Sequence, residues 1–202
     1  MKPHGMVIQG VDMPYVVFEN VENRQYRGLF LYEHDPLFRE KDPVSKALSK
    51  EYQWEPVNVD GEDRFLWKQC VCDPALAVRY VARCKEIGKP VRVLFLESDY
   101  PDEEWQGEIP EKRLLGYEVF LLPWGVMVYH DLLFSPLLRE YREKLNENFL
   151  FATLEEAQSF MSFYKEQLIA GAVGDDDVPE DVFVAAVYEV DEKSFDAWSK
   201  TV

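Results

Sequence analysis

Apolar positions along this chain alternate between strand and helix spacing, and the changes of spacing mark its elements. Tyr15-Val16-Val17-Phe18 and Tyr26-Arg27-Gly28-Leu29-Phe30-Leu31-Tyr32 are β-branched and aromatic runs separated by the polar Glu22-Asn23-Arg24. They predict an antiparallel pair of strands. Asp42-Pro43 opens a short helix to about Tyr52, because aspartate accepts a free backbone N–H and proline suits the first helical position. Two more strands, near Trp54 to Val59 and Phe65 to Val71, flank the turn signal Asp60-Gly61.

The clearest helix begins at Asp73-Pro74 and carries an apolar stripe of Leu76, Tyr80, Val81, Cys84 and Ile87, with Gly88 as its stop. Val91-Arg92-Val93-Leu94-Phe95-Leu96 then reads as an inner strand. A polar loop from Ser98 to Pro110 separates it from strands at Leu115 to Leu122 and Val126 to His130. Ser135-Pro136 predicts a helix through Leu145 that ends near Asn148. Thr153-Leu154-Glu155-Glu156 is a capping box for the next helix, with Ala157, Phe160, Met161, Tyr164 and Leu168 on its buried side and Gly171 at its end. Val182 to Val190 is a further apolar strand, and Asp191 to Ser199 a closing helix.

Strands and helices do not alternate as βαβ units, and hairpins outnumber crossovers. The expected class is α+β: a mixed, mainly antiparallel sheet with helices packed on one face. With 202 residues and no Pro/Gly/Ser linker, a single domain over 1–202 is expected.

Composition changes this picture through charge. The chain has 38 acidic and 22 basic residues, a net charge of −16. Such a surface repels phosphate backbones and anionic lipid, so neither nucleic acid nor a membrane is an expected partner. The excess is localised. Glu97, Asp99, Asp102, Glu103, Glu104, Glu108 and Glu111 form a stretch of −7 without a base. Nine acids against Lys193 give −8 between Asp175 and Asp196, beginning with Asp175-Asp176-Asp177. The rest of the chain is close to neutral. Three uses fit such islands: solvated loops, steering of a cationic protein partner, or divalent-cation binding by clustered oxygens. Asp175-Asp176-Asp177-Val178-Pro179 lacks the alternation and the glycine of a calcium loop.

Other chemistry is sparse. Met1-Lys2-Pro3-His4-Gly5 lacks the apolar stretch of a secretory signal, and the longest apolar region, Leu114 to Tyr129, is broken by Gly116, Glu118, Pro123 and Gly125. The three cysteines, Cys70, Cys72 and Cys84, read as buried thiols in a reducing cytoplasm. His4, His34 and His130 stand at no metal-ligand spacing, so no metal site and no cofactor are expected. No Gly-x-Ser-x-Gly or phosphate-binding glycine loop occurs. His34-Asp35 and His130-Asp131 are the available general bases, and Glu97 with Asp99 the available carboxylate pair at a strand end. Trp105 lies inside the first acidic stretch, where it either anchors a partner or folds back on the sheet.

Leu115-Gly116-Tyr117-Glu118-Val119, then Leu145-Asn146-Glu147-Asn148, Leu150-Phe151 and the helix from Thr153 to Glu156 with Ala157, resemble small acidic bacterial proteins of toxin-immunity and uncharacterised families. The resemblance covers about residues 90–165 and carries no functional residue. It implies binding in place of catalysis, since immunity proteins of that kind often occupy a basic nuclease with an acidic surface. The expected function is thus a non-catalytic, cytoplasmic interaction protein for a basic partner. Glu97, Asp99, Asp102, Glu103, Glu104, Trp105 and Asp175 to Asp177 are its candidate partner-binding residues. The alternative is a small metal-dependent enzyme built on Glu97 and Asp99.

Overall fold

The computed structural model describes residues 1–10, 16–19, 22–28, 57–59, 62–64, 73–86, 88, 90–98, 105, 107–122, 126–127, 132–133, 135–173 and 181–202. Its main feature is a five-stranded sheet made of β1 (Lys2–Gly10), β6 (Val91–Ser98), β9 (Asp181–Val190), β7 (Arg113–Leu122) and β8 (Val126–Met127), in that spatial order. Every pairing in it is antiparallel. Two hairpins stand beside it in the chain: β2 (Val16–Glu19) with β3 (Gln25–Gly28), and β4 (Val57–Val59) with β5 (Glu62–Arg64). Four α-helices complete the described residues: α1 (Pro74–Glu86), α2 (Arg139–Arg142), α3 (Leu154–Ile169) and α4 (Glu192–Trp198). The class is α+β, as the pattern predicts.

Successive residues of a strand point to opposite faces. Val93, Leu94, Phe95 and Leu96 are all at most 5% exposed, so both faces of β6 are covered. The same holds for Ala185, Ala186 and Val187 in β9. Both faces of β6 and of the middle of β9 are therefore buried.

The helix signals act as read. The Asp73 carboxylate accepts from the backbone N–H groups of Ala75 (2.8 Å) and Leu76 (3.3 Å), and α1 buries Leu76, Ala77, Tyr80, Val81 and Cys84. Gly88 follows at φ +71°, a left-handed stop that glycine adopts without strain. At α3 the box is complete: Thr153 Oγ1 accepts from Glu156 N, and Glu156 Oε2 accepts from Thr153 N, both at 3.2 Å. Asp191 caps α4 by accepting from Ser194 N at 2.8 Å. Among the described residues, no helix is long and apolar enough to cross a membrane.

The structure departs from the pattern at two places. First, Lys2–Gly10 form β1, an edge strand that the pattern does not announce. Pro3, Gly5 and Gly10 weaken strand character, and the pairing with β6 slips between Pro3 and Gly5. What holds the strand is the short run Met6-Val7-Ile8, each with 0% exposure. Second, the helix expected from Ser135 to about Asn148 is cut short. Ser135 makes no side-chain cap, a 3-10 turn over Pro136–Leu138 leads into α2, and Leu145 instead bridges to Phe151. β4 pairs with Glu62–Arg64, on the far side of Asp60-Gly61 in the chain, and the strand expected at 65–71 lies outside the described residues. The helix expected at 43–52 lies outside the described residues, as do Cys70, Cys72 and the two His-Asp pairs apart from their neighbours.

Asn146 explains why the second helix stops. β7 carries a bulge at Leu115, because Leu114 pairs with Tyr188 and Gly116 with Val187. The Leu115 carbonyl accepts from Asn146 Nδ2 at 2.8 Å, while Asn146 Oδ1 accepts from the N–H groups of Asn148 (2.9 Å) and Leu150 (3.2 Å). One amide thus satisfies three backbone groups that regular structure leaves over. Tyr117 and Phe151 then exchange two backbone hydrogen bonds at 2.9 Å, which joins the loop to β7. Residues 115–119, 145–151 and the start of α3 are thus neighbours in space.

Candidate functional site

The two acidic stretches are less charged in space than in sequence. Glu189 sits in β9 opposite Leu94 on β6 and Arg113 on β7; its Oε1 accepts from Arg92, two residues along β6, at 2.7 Å, and its Oε2 pairs with Arg113. Burial opposes the charge of Glu189, but the hydrogen bonds and charges of Arg113 and Arg92 outweigh it and hold the carboxyl below its ordinary value. Lys85 of α1 reaches Asp196 (3.0 Å) and Glu192 (3.2 Å) of α4. Its hydrogen bond to Asp196 raises the ammonium pKa against a smaller effect of burial. Asp191 spends its carboxylate on the α4 cap, and that bond to Ser194 lowers its pKa. The later half of the second stretch is therefore neutralised or used structurally.

Glu97 is the first candidate whose side chain the structure places. Its Oε1 pairs with Lys112 and its Oε2 accepts from the Tyr188 hydroxyl at 2.8 Å. The Lys112 ammonium lies 3.9 Å from the centre of the Tyr188 ring and 4.5 Å from that of Phe95, a cation held between two aromatic faces and a carboxylate. Both Glu97 oxygens are thereby engaged, and a divalent cation there would have to displace Lys112. Among the described residues, no group of three or more His, Cys, Asp or Glu side chains is arranged to hold a metal.

Burial first, and then the Glu97 carboxylate, push the Tyr188 hydroxyl well above its ordinary value of about 10. The sign follows. The folded state keeps this proton where the unfolded chain has lost it, so Tyr188 contributes stability in full below about pH 10 and loses it as pH rises further. Urea midpoints measured at intervals between about pH 9 and 11 should fall more steeply for the wild type than for Tyr188→Phe. Parallel slopes would remove Tyr188 from the alkaline response.

Trp105 is 6% exposed and belongs to the core. Its ring meets Phe95 edge-on at 5.3 Å and lies 5.6 Å from Trp198 of α4. Both indoles donate to one acceptor, the Glu108 carbonyl, Trp105 at 3.1 Å and Trp198 at 2.8 Å. Of the two readings of Trp105, the fold-back on the sheet is the one the structure has, and an exposed anchor is not present at this position. Asp99, Asp102, Glu103, Glu104 and Asp175 to Asp177 lie outside the described residues. Their flanking strand ends do not: antiparallel pairing of Ser98 with Ala185 puts the last residue of β6 and the first residues of β9, from Asp181, toward the same end of the sheet.

A cleft of about 610 Å³ opens at the opposite end, between Val81 and Lys85 of α1, Arg92 and Val93 of β6, Glu189 of β9 and Phe195 of α4. Its charged walls are the ion pairs just described, with an apolar floor. Sequence reasoning misses the basic partners Lys85, Arg92, Lys112 and Arg113, because each meets its acid only through strand pairing or helix docking. Comparison with protein-family models, with curated proteins and with solved structures finds no match.

Proposed function

We propose that this chain is a non-catalytic interaction protein that binds a basic protein partner, in the manner of an immunity-type inhibitor, in a reducing cytoplasm. The observation that supports the reading is topological. β6 runs out at Ser98 into Asp99, Asp102, Glu103 and Glu104, and β9 is entered at Asp181 from Asp175, Asp176, Asp177 and Glu180. These nine acids have no base among them in sequence, and both stretches adjoin the same end of the sheet. Glu97, Glu189, Glu192 and Asp196 of the two islands each pair with a lysine or arginine, whereas 99–104 and 175–181 contain no base of their own to offset their charge. Clustered charge of one sign steers an oppositely charged surface and fixes its register. The buried Cys84 suits a reducing compartment.

The test is capture from the native cell extract, comparing the wild type with a variant in which the acids of 99–104 and 175–181 become amides. A basic protein should be retained stoichiometrically by the wild type at about 50 mM salt, released at about 500 mM, and not held by the variant. Equal retention by both proteins would rule out the acidic end as the recognition surface.

A further inference from the structure

Helix α2 carries a cation inside the protein. Arg142 is 1% exposed, and its Nη1 donates to the carbonyls of Leu133 (2.6 Å) and Leu132 (3.0 Å), which fixes the plane of the guanidinium. Nε and Nη2 are buried and have no hydrogen-bond partner. Their counter-charge is Glu22, in the turn between β2 and β3. Its Oε1 lies 3.6 Å from Arg142 Nη2 and 3.7 Å from Arg139 Nε. Arg24 of the same turn pairs with Glu143 at 3.3 Å, so the turn is clamped to α2 by charges on both sides.

Nε–H and Nη2–H form one edge of a guanidinium, two parallel donors whose spacing matches a pair of carboxylate or phosphate oxygens. Buried donors are normally satisfied, and those of a charged group most of all. Glu22 supplies charge at 3.6 Å but no hydrogen bond to this edge. Arg139, whose side chain is 53% exposed, adds a second cation at the rim.

We propose that Arg142 and Arg139 form a binding site for a small oxyanion, a carboxylate or a phosphate, which Glu22 occupies in cis. The anion bonds to Nε and Nη2 of Arg142, and the β2–β3 turn gives way as Glu22 is displaced. Glu22 is tethered, so it competes at an effective concentration on the order of millimolar. The net charge of −16 disfavours the approach of anions in general, which leaves selectivity to the guanidinium fork. This site is independent of the acidic end.

The experiment uses the full chain, wild type and Glu22→Gln, titrated with inorganic phosphate and with succinate against sodium chloride of matched ionic strength. Glu22→Gln should bind at least one of the two oxyanions about tenfold more tightly than the wild type, and Arg139→Gln added to it should weaken that binding severalfold. The tighter of the two names the ligand class. A second readout needs no variant: phosphate or succinate, but not chloride, should speed hydrogen exchange of the wild-type amides at 22–25. If Glu22→Gln does not fold, this readout decides alone. Thermal shifts no larger than those in chloride, with exchange at the turn unchanged, would overturn the proposal and leave Arg142 and Glu22 a structural pair.

Discussion

Replacing Gly116 with alanine should destabilise the protein by about 2–5 kcal/mol, a large part of a typical domain's total. Gly116 has φ +152°, in a region that side chains rarely adopt. A Cβ there would stand 2.7 Å from Leu150 Cβ, 2.8 Å from the Phe151 carbonyl oxygen and 2.9 Å from Asn146 Nδ2. Leu150 is held by its backbone bonds to Asn146 and Phe151 by its bridge to Tyr117, and the third is the amide that closes the β7 bulge, so none can withdraw without breaking a bond. Phe149, at φ +62° in the same loop, already carries backbone strain, which leaves little slack. Gly88→Ala is the control. It has φ +71° but nothing within 4 Å of the added carbon, so only backbone strain of roughly 1–2 kcal/mol applies. Denaturant midpoints for the two variants should be clearly ordered, Gly116→Ala the lower. Equal losses would mean that the close approach of the 146–151 loop is not as described.

Trp105→Ala should cost about 3–5 kcal/mol, the loss expected when a large buried aromatic is removed from a core. The indole contributes its contacts with Phe95 and Trp198 and one of the two hydrogen bonds on the Glu108 carbonyl. Trp105→Phe should cost less, because the ring contacts survive in part and Trp198 still donates to that carbonyl. The contrast separates a core residue from a binding anchor. A core residue moves the unfolding midpoint with no partner present, whereas an anchor leaves stability intact and lowers affinity. Unchanged stability of Trp105→Ala, measured by circular dichroism in urea, would refute its place in the core.

The elements legible in the sequence are those whose signals are local. Asp73-Pro74, Thr153 with Glu156, and Asp191 each name a helix start because the capping atoms lie within four residues of one another. Val91 to Leu96 and Val182 to Val190 are apolar enough to read as buried strands without knowledge of their neighbours. β1 was not legible, because Met6-Val7-Ile8 is too short to stand out among Pro3, Gly5 and Gly10, and pairing with β6 supplies what propensity lacks. The helix before Asn148 stops short of its spacing for a related reason: Leu145 keeps helical spacing, but the Asn146 side chain offers the backbone a competing set of bonds. At the candidate site, Glu97, Glu189, Glu192 and Asp196 lie among acidic neighbours in sequence, but folding pairs each with a lysine or arginine from elsewhere, which no local charge pattern announces. Trp105 was ambiguous because its flanking acids describe the loop's surface and say nothing about which way the indole turns.

The position of β9 bears on when this sheet can exist at all. β6 and β7 run the same way and do not touch, since β9 fills the space between them. Glu97 and Tyr188, joined by a hydrogen bond, are 91 residues apart in the chain. Until residues 181–190 arrive, β6 has only β1 beside it and β7 only β8, and each shows an open edge of unpaired backbone. Such distant pairing slows folding, and a nascent chain must guard two hydrophobic edges while it waits. The last of the five strands to be made is the one that turns two separate ribbons into a core.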